Sequence, residues 1–262
     1  MNMKRKYFST FILIVFVCLV RPAFALEMLH FIEGKEWAGD FEEARGLKIT
    51  DAGVVYLTSD DKGSLIKIVD GNIEVFPLLP GVFGDRDIGG IDQLSNGDLV
   101  IINRDTSQVA VVHDDLSIVT RFGKSGSDPG ELDDPKAVAV SINNKIYVAD
   151  RANNRINVYN HQGLFLQSFG YARTGVDRLQ KPTHISLDAD ENIYVLEGPG
   201  RISIFDLQGN LIDRIKASEL KDLFDGTPEF SAMTSDLNGH LYLADAVTSQ
   251  VSILDWRKRE LI

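Results

Sequence analysis

The chain has 262 residues, of which 44% are hydrophobic and 25% are charged, with a net charge of −11 and a single cysteine. The acidic balance disfavours binding to phosphate backbones and to anionic lipid surfaces, so nucleic acid is not an expected partner. One cysteine cannot form a disulfide within the chain, so the fold must be stabilised by burial of apolar side chains.

The first 25 residues have the pattern of a secretory signal peptide. Basic residues at positions 4 to 6 precede an apolar run over 8–20, and small residues follow at Ala23 and Ala25. The run is shorter than the ~20 residues that a membrane-spanning helix needs. We therefore expect cleavage after Ala25 and a periplasmic or secreted protein with no stable membrane insertion; an uncleaved anchor is the alternative. Cleavage removes four basic residues, the cysteine and no acidic residue, so the net charge moves from −11 to −15.

Residues 26–262 form a single predicted domain of repeated strands. A short apolar strand that ends in a polar residue recurs at intervals of 44, 47, 47 and 48 residues. A turn signal and another apolar strand precede each copy, and a third strand follows it. Four strands in about 45 residues are typical of a propeller blade. The repeats cover approximately residues 44–78, 88–123, 135–170, 182–217 and 230–262.

The sequence thus predicts an all-β propeller with four-stranded blades, and five blades are favoured over six. The fifth copy reads as ending after its third strand, "VSIL", while Met28–Ile32 resembles a fourth strand without a blade of its own. We expect this N-terminal strand to close the last blade, because joining the two ends covers both open sheet edges. We expect the protein to be a monomer.

The best-formed copy, residues 126–170, reads "GSDPGELDDPKAVAVSINNKIYVADRANNRINVYNHQGLFLQSFG" and resembles the repeats of NHL propellers. Its matching residues are Pro135, Asp150, Asn154, Arg155, Ile156 and Gly163. The fourth copy keeps Pro182, Arg201, Ile202 and Gly209, with Glu197 in place of the aspartate, and the other three copies are weaker. This resemblance implies the fold and says little about function. NHL propellers more often have six blades.

Polar residues that end the second strand of each copy are candidate metal ligands. The pseudo-rotation of a propeller would place them in a ring near one end of the central channel, and carboxylate oxygens suit Ca²⁺. Related lactonase-like propellers use a central metal. The same residues also read as caps that each hold their own loop, which is the interpretation we favour, so no cofactor is expected and Ca²⁺ is the alternative. The residues are Ser59, Asn103, Asp150, Glu197 and Asp245.

Candidate ligand-binding residues lie in the loops at the same end of the predicted propeller. They are Arg86, Asp87, Arg104, Asp105, Arg151, Asn153 and Arg201, joined by His184, which stands in an innermost strand where the other copies have glycine or alanine. Neither a nucleophile-elbow motif nor a zinc-binding His-Glu-x-x-His motif is present. We therefore favour an exported scaffold that binds a protein, peptide or glycan. The alternatives are a metal-dependent lactonase-like hydrolase or lyase and a structural module of an envelope assembly.

Overall fold

The computed structural model describes residues 44–59, 64–70, 72–77, 87–171, 177–198, 200–224, 226–248 and 250–262. These residues form twenty strands and one short 3₁₀ helix at Ala217–Glu219. The strands are β1 Ala44–Ile49, β2 Val55–Ser59, β3 Ser64–Val69, β4 Asn72–Pro77, β5 Ile88–Gln93, β6 Leu99–Asn103, β7 Gln108–Val112, β8 Ile118–Phe122, β9 Pro135–Val140, β10 Ile146–Asp150, β11 Arg155–Tyr159, β12 Phe165–Phe169, β13 Pro182–Leu187, β14 Ile193–Glu197, β15 Arg201–Phe205, β16 Leu211–Lys216, β17 Phe230–Ser235, β18 Leu241–Asp245, β19 Gln250–Asp255 and β20 Glu260–Leu261.

The strands are arranged as a five-bladed β-propeller. Each run of four consecutive strands forms one antiparallel sheet, which we number blade 1 to blade 5 in chain order. The first strand of each blade is innermost, and it lies against the first strand of the next blade in the series β1, β5, β9, β13 and β17. The all-β class and the five blades predicted from the repeat are therefore confirmed.

Burial follows the position of a strand within its blade. Every residue of the second strands β6, β10 and β14 is buried, because neighbouring blades cover both faces of these strands. That explains why they read as continuous apolar runs in the sequence. The outer strands β8 and β12 are exposed or half-buried along most of their length, and each buries only its last residue, Phe122 or Phe169. Apolar layers between successive blades thus form the core, and one such layer packs Tyr147 and Val158 of blade 3 with Ile193 and Phe205 of blade 4.

Glycine in the outer hairpins is required by both conformation and space. Gly163, in the turn before β12, has φ of +85°, and a Cβ atom there would lie 2.4 Å from Cδ1 of Phe122 in blade 2. Gly209 stands at the same place in blade 4, where a Cβ atom would lie 2.6 Å from Cβ of Phe169. These turns therefore pack directly on the preceding blade, so each outer hairpin contributes to an interface between blades.

Blade 5 has a fourth strand, whereas the sequence predicted that the fifth copy stops after its third strand. The C-terminal residues form a short fourth strand, β20, which pairs with Leu254 and Asp255 of β19, and the Ile262 amide donates to the Ile253 carbonyl at 2.9 Å. The segment Met28–Ile32, which we expected to pair with β19, lies outside the described residues. Within the described ranges, no helix has the length and apolar character needed to cross a membrane.

Candidate functional site

We call the end of the propeller where second strands lead into third strands the mouth. Asp150 ends β10 at this end, and its side chain is fully buried. Its Oδ1 accepts a hydrogen bond from the Asp133 amide at 2.7 Å, and its Oδ2 accepts from Asn153 Nδ2 at 2.9 Å and from Arg155 Nε at 2.8 Å. Asp150 thus caps its own loop, as one of the two interpretations of the strand-end residues expects, and it also pairs with Arg155. Asp150 holds together the turn after β10 and the loop before β9.

Arg155 extends this network into the long loop that precedes β9. Its Nη1 donates to the Ser127 carbonyl at 3.0 Å, and its Nη2 donates to the carbonyls of Asp128 and Glu131 at 3.0 and 2.8 Å. Burial raises the pKa of Asp150 above its ordinary value, against the hydrogen bonds from the Asp133 amide, Asn153 and Arg155 that favour the charged form. The ion pair is therefore an internal support for the loop.

Glu197 plays the same part at the end of β14. The Gln180 amide donates to its Oε2 at 2.5 Å, Ser203 Oγ donates to its Oε1 at 2.5 Å, and Arg201 Nε donates to Oε1 at 3.0 Å. Arg201 also donates from Nη2 to Oε2. The candidate ligand-binding residue Arg201 therefore engages the buried carboxylate of its own blade.

Asp245 and Asn103 hold the corresponding turns of blades 5 and 2. Asp245 accepts from the amides of Glu229 at 3.1 Å and Val247 at 2.9 Å, and from the Thr248 hydroxyl at 3.0 Å. Asn103 accepts from the Thr106 amide at 3.1 Å. In the part of the chain that the structure describes, no three histidine, cysteine or acidic residues are grouped so that they could hold a metal ion. The side chain of Ser59 lies outside that part.

The structure brings three of the candidate ligand-binding residues together at the mouth, and two of them, Arg104 and Arg151, share a partner that the sequence analysis missed. Asp134, directly before β9, accepts from Arg104 Nη2 at 2.8 Å and from Arg151 Nη1 at 2.6 Å. Arg104 also donates from Nη1 to Asp87. The residues Asp87, Arg104, Asp134 and Arg151 thus form one connected cluster across blades 2 and 3, which we call the mouth cluster.

Lys136 adds a third cation to the mouth cluster, since its ammonium lies 3.1 Å from Asp134 Oδ1. Burial lowers the pKa of Lys136, the hydrogen bond to Asp134 opposes this, and the charges of Arg104 and Arg151 lower it further. Burial raises the pKa of Asp134. The hydrogen bonds from Arg104, Arg151 and Lys136 outweigh this effect and lower the pKa to about 2. Asp134 is therefore charged at neutral pH.

The remaining candidates have other surroundings. Asp105 accepts from the Asp87 amide at 3.2 Å and so supports the edge of the mouth cluster. Asn153 Nδ2 donates to the Gly126 carbonyl at 2.9 Å in addition to Asp150, which makes its amide part of the loop support. Arg86 lies outside the described residues.

His184 lies in the inner strand β13 and is half-buried. At the equivalent place in β5, a Cβ atom on Gly90 would lie 3.0 Å from the Ala137 Cα atom of β9. His184 Nδ1 lies 3.2 Å from Thr183 Oγ1. The Thr183 hydroxyl also donates to the Leu196 carbonyl at 3.2 Å. Burial lowers the pKa of His184 to about 4, so the imidazole is neutral at pH 7.

The lowered pKa of His184 makes the stability of the fold dependent on pH. Its pKa is about 4 in the folded chain against an ordinary value of 6.5, so the unfolded chain binds the additional proton between these values. The free energy of unfolding should fall as pH drops from 6.5 to 4, by up to about 3 kcal/mol at ~1.4 kcal/mol per pKa unit. Urea unfolding of the wild type and of His184→Gln across this range measures the difference. His161→Gln, at an exposed outer turn, is the matched control, and an equal pH slope in wild type and His184→Gln would contradict the assignment.

No protein-family model matches the chain. Protein brain tumor of Drosophila melanogaster is 26% identical over 147 residues, which are 55% of this chain and 14% of that protein. The chain therefore spans only a small part of that relative's length. Among solved structures, virginiamycin B lyase from Staphylococcus aureus superposes with a TM-score of 0.62 at 15% identity, over 84% of this chain and 68% of that chain.

A nidogen/laminin complex contains a further similar structure, with a TM-score of 0.63 at 16% identity over 84% of this chain and 78% of the matched chain. A protein of unknown function from Bacteroides caccae matches with a TM-score of 0.62 at 13% identity, over 84% and 80% of the two chains. The shared feature is the β-propeller fold. At these identities the likeness extends to the fold alone, and the fold serves an enzyme in one case and a protein of a complex in another.

Proposed function

We propose that the chain is an exported NHL-repeat propeller that binds a protein, peptide or glycan through the loops of its mouth. The observation that carries this proposal is the mouth cluster. Three cations, Arg104, Lys136 and Arg151, meet at one carboxylate, Asp134, on the surface of an otherwise acidic chain. Such a concentration of charged donors on rigid strand ends is suited to recognising polar ligands.

The distribution of structural and surface roles at the mouth supports the same proposal. The buried residues Asp150, Glu197 and Asp245 fix the loops from beneath. Arg151 and Lys136 keep 35% and 25% of their side chains exposed above them. Because the buried carboxylates hold the loops and other residues form the exposed surface, the binding site is held in place before a ligand arrives. The similarity to part of protein brain tumor agrees with the NHL assignment of the repeats.

The alternative, a metal-dependent lactonase-like hydrolase or lyase, would need the strand-end carboxylates as ligands. Oxygens of Asp150 and Glu197 each accept hydrogen bonds from their own loops and from an arginine of their own blade. A cation would have to displace these donors. This competition favours the scaffold over the metal-dependent enzyme.

Site-specific photocross-linking in the producing cells tests the proposed function. A benzophenone side chain is placed at Thr106 or Ala152, which are exposed in turns of the mouth, and as controls at Ile142 or His161, which are exposed at the opposite end. We expect adducts from the two mouth positions and none from the control positions. Adducts that form only at Ile142 and His161 would contradict a binding role for the mouth.

A further inference from the structure

Equivalent residues along the mouth reveal a difference between successive blades. The residue directly before the inner strand is Asp87 in blade 2, Asp134 in blade 3 and Lys181 in blade 4. The residue directly after the second strand is Arg104 in blade 2 and Arg151 in blade 3. Charges of opposite sign thus alternate around the mouth until Lys181, where a cation stands in the place of an aspartate.

At the junction of blades 2 and 3, a carboxylate lies between two arginines. Arg104 donates to Asp87 of its own blade and, at 2.8 Å, to Asp134 of the next blade. Asp134 in turn accepts from Arg151 of its own blade at 2.6 Å. The Arg104–Asp134 pair therefore links blades 2 and 3 at their surface, and the other two pairs lie within a single blade.

At the junction of blades 3 and 4, the corresponding carboxylate is missing. Asn154, in the same turn as Arg151, accepts from the Lys181 amide at 2.9 Å, so this turn and Lys181 are in direct contact. Lys181 is exposed, and within the described ranges Arg151 forms its ion pair with Asp134. The cationic residue Lys181 thus lies against the turn that carries Arg151, where the preceding junction has an anion between its two arginines.

We propose that the junction of blades 3 and 4 binds a carboxylate of the ligand between Arg151 and Lys181, in the place that the Asp134 carboxylate takes one blade earlier. Two N–H groups of an arginine match the two oxygens of a carboxylate, and a lysine ammonium adds a point charge. Lys136, bound to Asp134 on the same side, adds to the positive field. The inference rests on the proposed binding function and names the chemical group that the mouth recognises.

Titration with succinate, followed by ¹⁵N-resolved NMR at constant ionic strength, tests the site directly. Wild-type protein should show saturable shifts of the Asn154, Lys181 and Gly198 amides. Lys181→Asp, which supplies the missing carboxylate from the chain itself, should weaken succinate binding at least tenfold. Lys145→Asp makes the same charge change at the opposite end of the propeller and should leave the affinity unchanged.

Thermal unfolding without any ligand gives a second readout. Lys181→Asp should raise the midpoint temperature relative to wild type, because its carboxylate can pair with Arg151, whereas Lys145→Asp should not. Equal succinate affinity in wild type and Lys181→Asp would overturn the proposed site, as would tighter binding of inorganic phosphate than of succinate. If succinate does not bind but the mouth positions still cross-link to a ligand, the carboxylate site is wrong and the scaffold function stands. If succinate binds but the mouth positions give no adducts, the carboxylate site stands and the scaffold function is contradicted.

Discussion

Replacing Asp150 with alanine should destabilise the fold by about 3–5 kcal/mol, the range found when one partner of a buried ion pair is removed. The Arg155 side chain is buried and would lose its only carboxylate partner in the described structure. The Asp133 amide and Asn153 would lose an acceptor as well. The loop before β9 should therefore loosen together with the mouth. Urea unfolding of purified variants measures the change in the free energy of unfolding.

Asp128→Ala is the matched control, because it removes the same charge from an exposed side chain in the same loop, and it should cost less than about 0.5 kcal/mol. Combining Asp150→Ala with Arg155→Ala should cost clearly less than the sum of the two single changes, since each single change leaves the other charge buried and unpaired. Additive costs would show that the two residues act independently and would contradict the network.

Gly163→Ala should destabilise the fold by about 2–4 kcal/mol. The left-handed conformation of this turn costs a non-glycine residue roughly 1 kcal/mol, and overpacking of a filled interface adds about 1–3 kcal/mol. Here the new methyl group would lie within 2.8 Å of three atoms of Phe122, including Cβ, so rotation of the ring alone cannot make room. The expected result is a lower midpoint in thermal and urea unfolding.

Gly97→Ala separates the two contributions. Gly97 also has a positive φ, of +96°, but a Cβ atom there meets nothing within 4 Å. We therefore expect only the conformational cost of roughly 1 kcal/mol at Gly97. Equal losses for the two variants would mean that the outer turn of blade 3 does not pack on blade 2 as described.

The fold was predictable because the sequence signals for its strands and turns are local and recur in every blade. The second strands are apolar on both faces, their polar end residues recur at nearly constant intervals, and the turns carry their own signals. β20 was not predicted, because it pairs with β19 through only two residue pairs and has no apolar pattern. A strand this short is defined by its neighbour rather than by its own sequence.

The site was predictable only in part. Asp150 and Arg155 stand five residues apart in one motif, so their contact could be anticipated, and Arg104 and Arg151 were identified from their place after a strand. Asp134 and Lys136 were missed, because their importance depends on a contact with the preceding blade, 30 residues away in the sequence for Arg104 and Asp134. The signal that could have identified them is the comparison of Asp87, Asp134 and Lys181 at equivalent positions.

We propose that the strand-end carboxylates support the loops and leave ligand recognition to the cations above them. Thermal unfolding of metal-stripped protein with and without calcium tests it most directly. We expect the same midpoint in both samples, because the oxygens of Asp150, Glu197 and Asp245 already accept hydrogen bonds from their own loops. A calcium site would instead stabilise the fold by about 2.7 kcal/mol at a hundredfold excess over its dissociation constant. A rise of several degrees, abolished by Glu197→Ala together with Asp245→Ala, would contradict the claim.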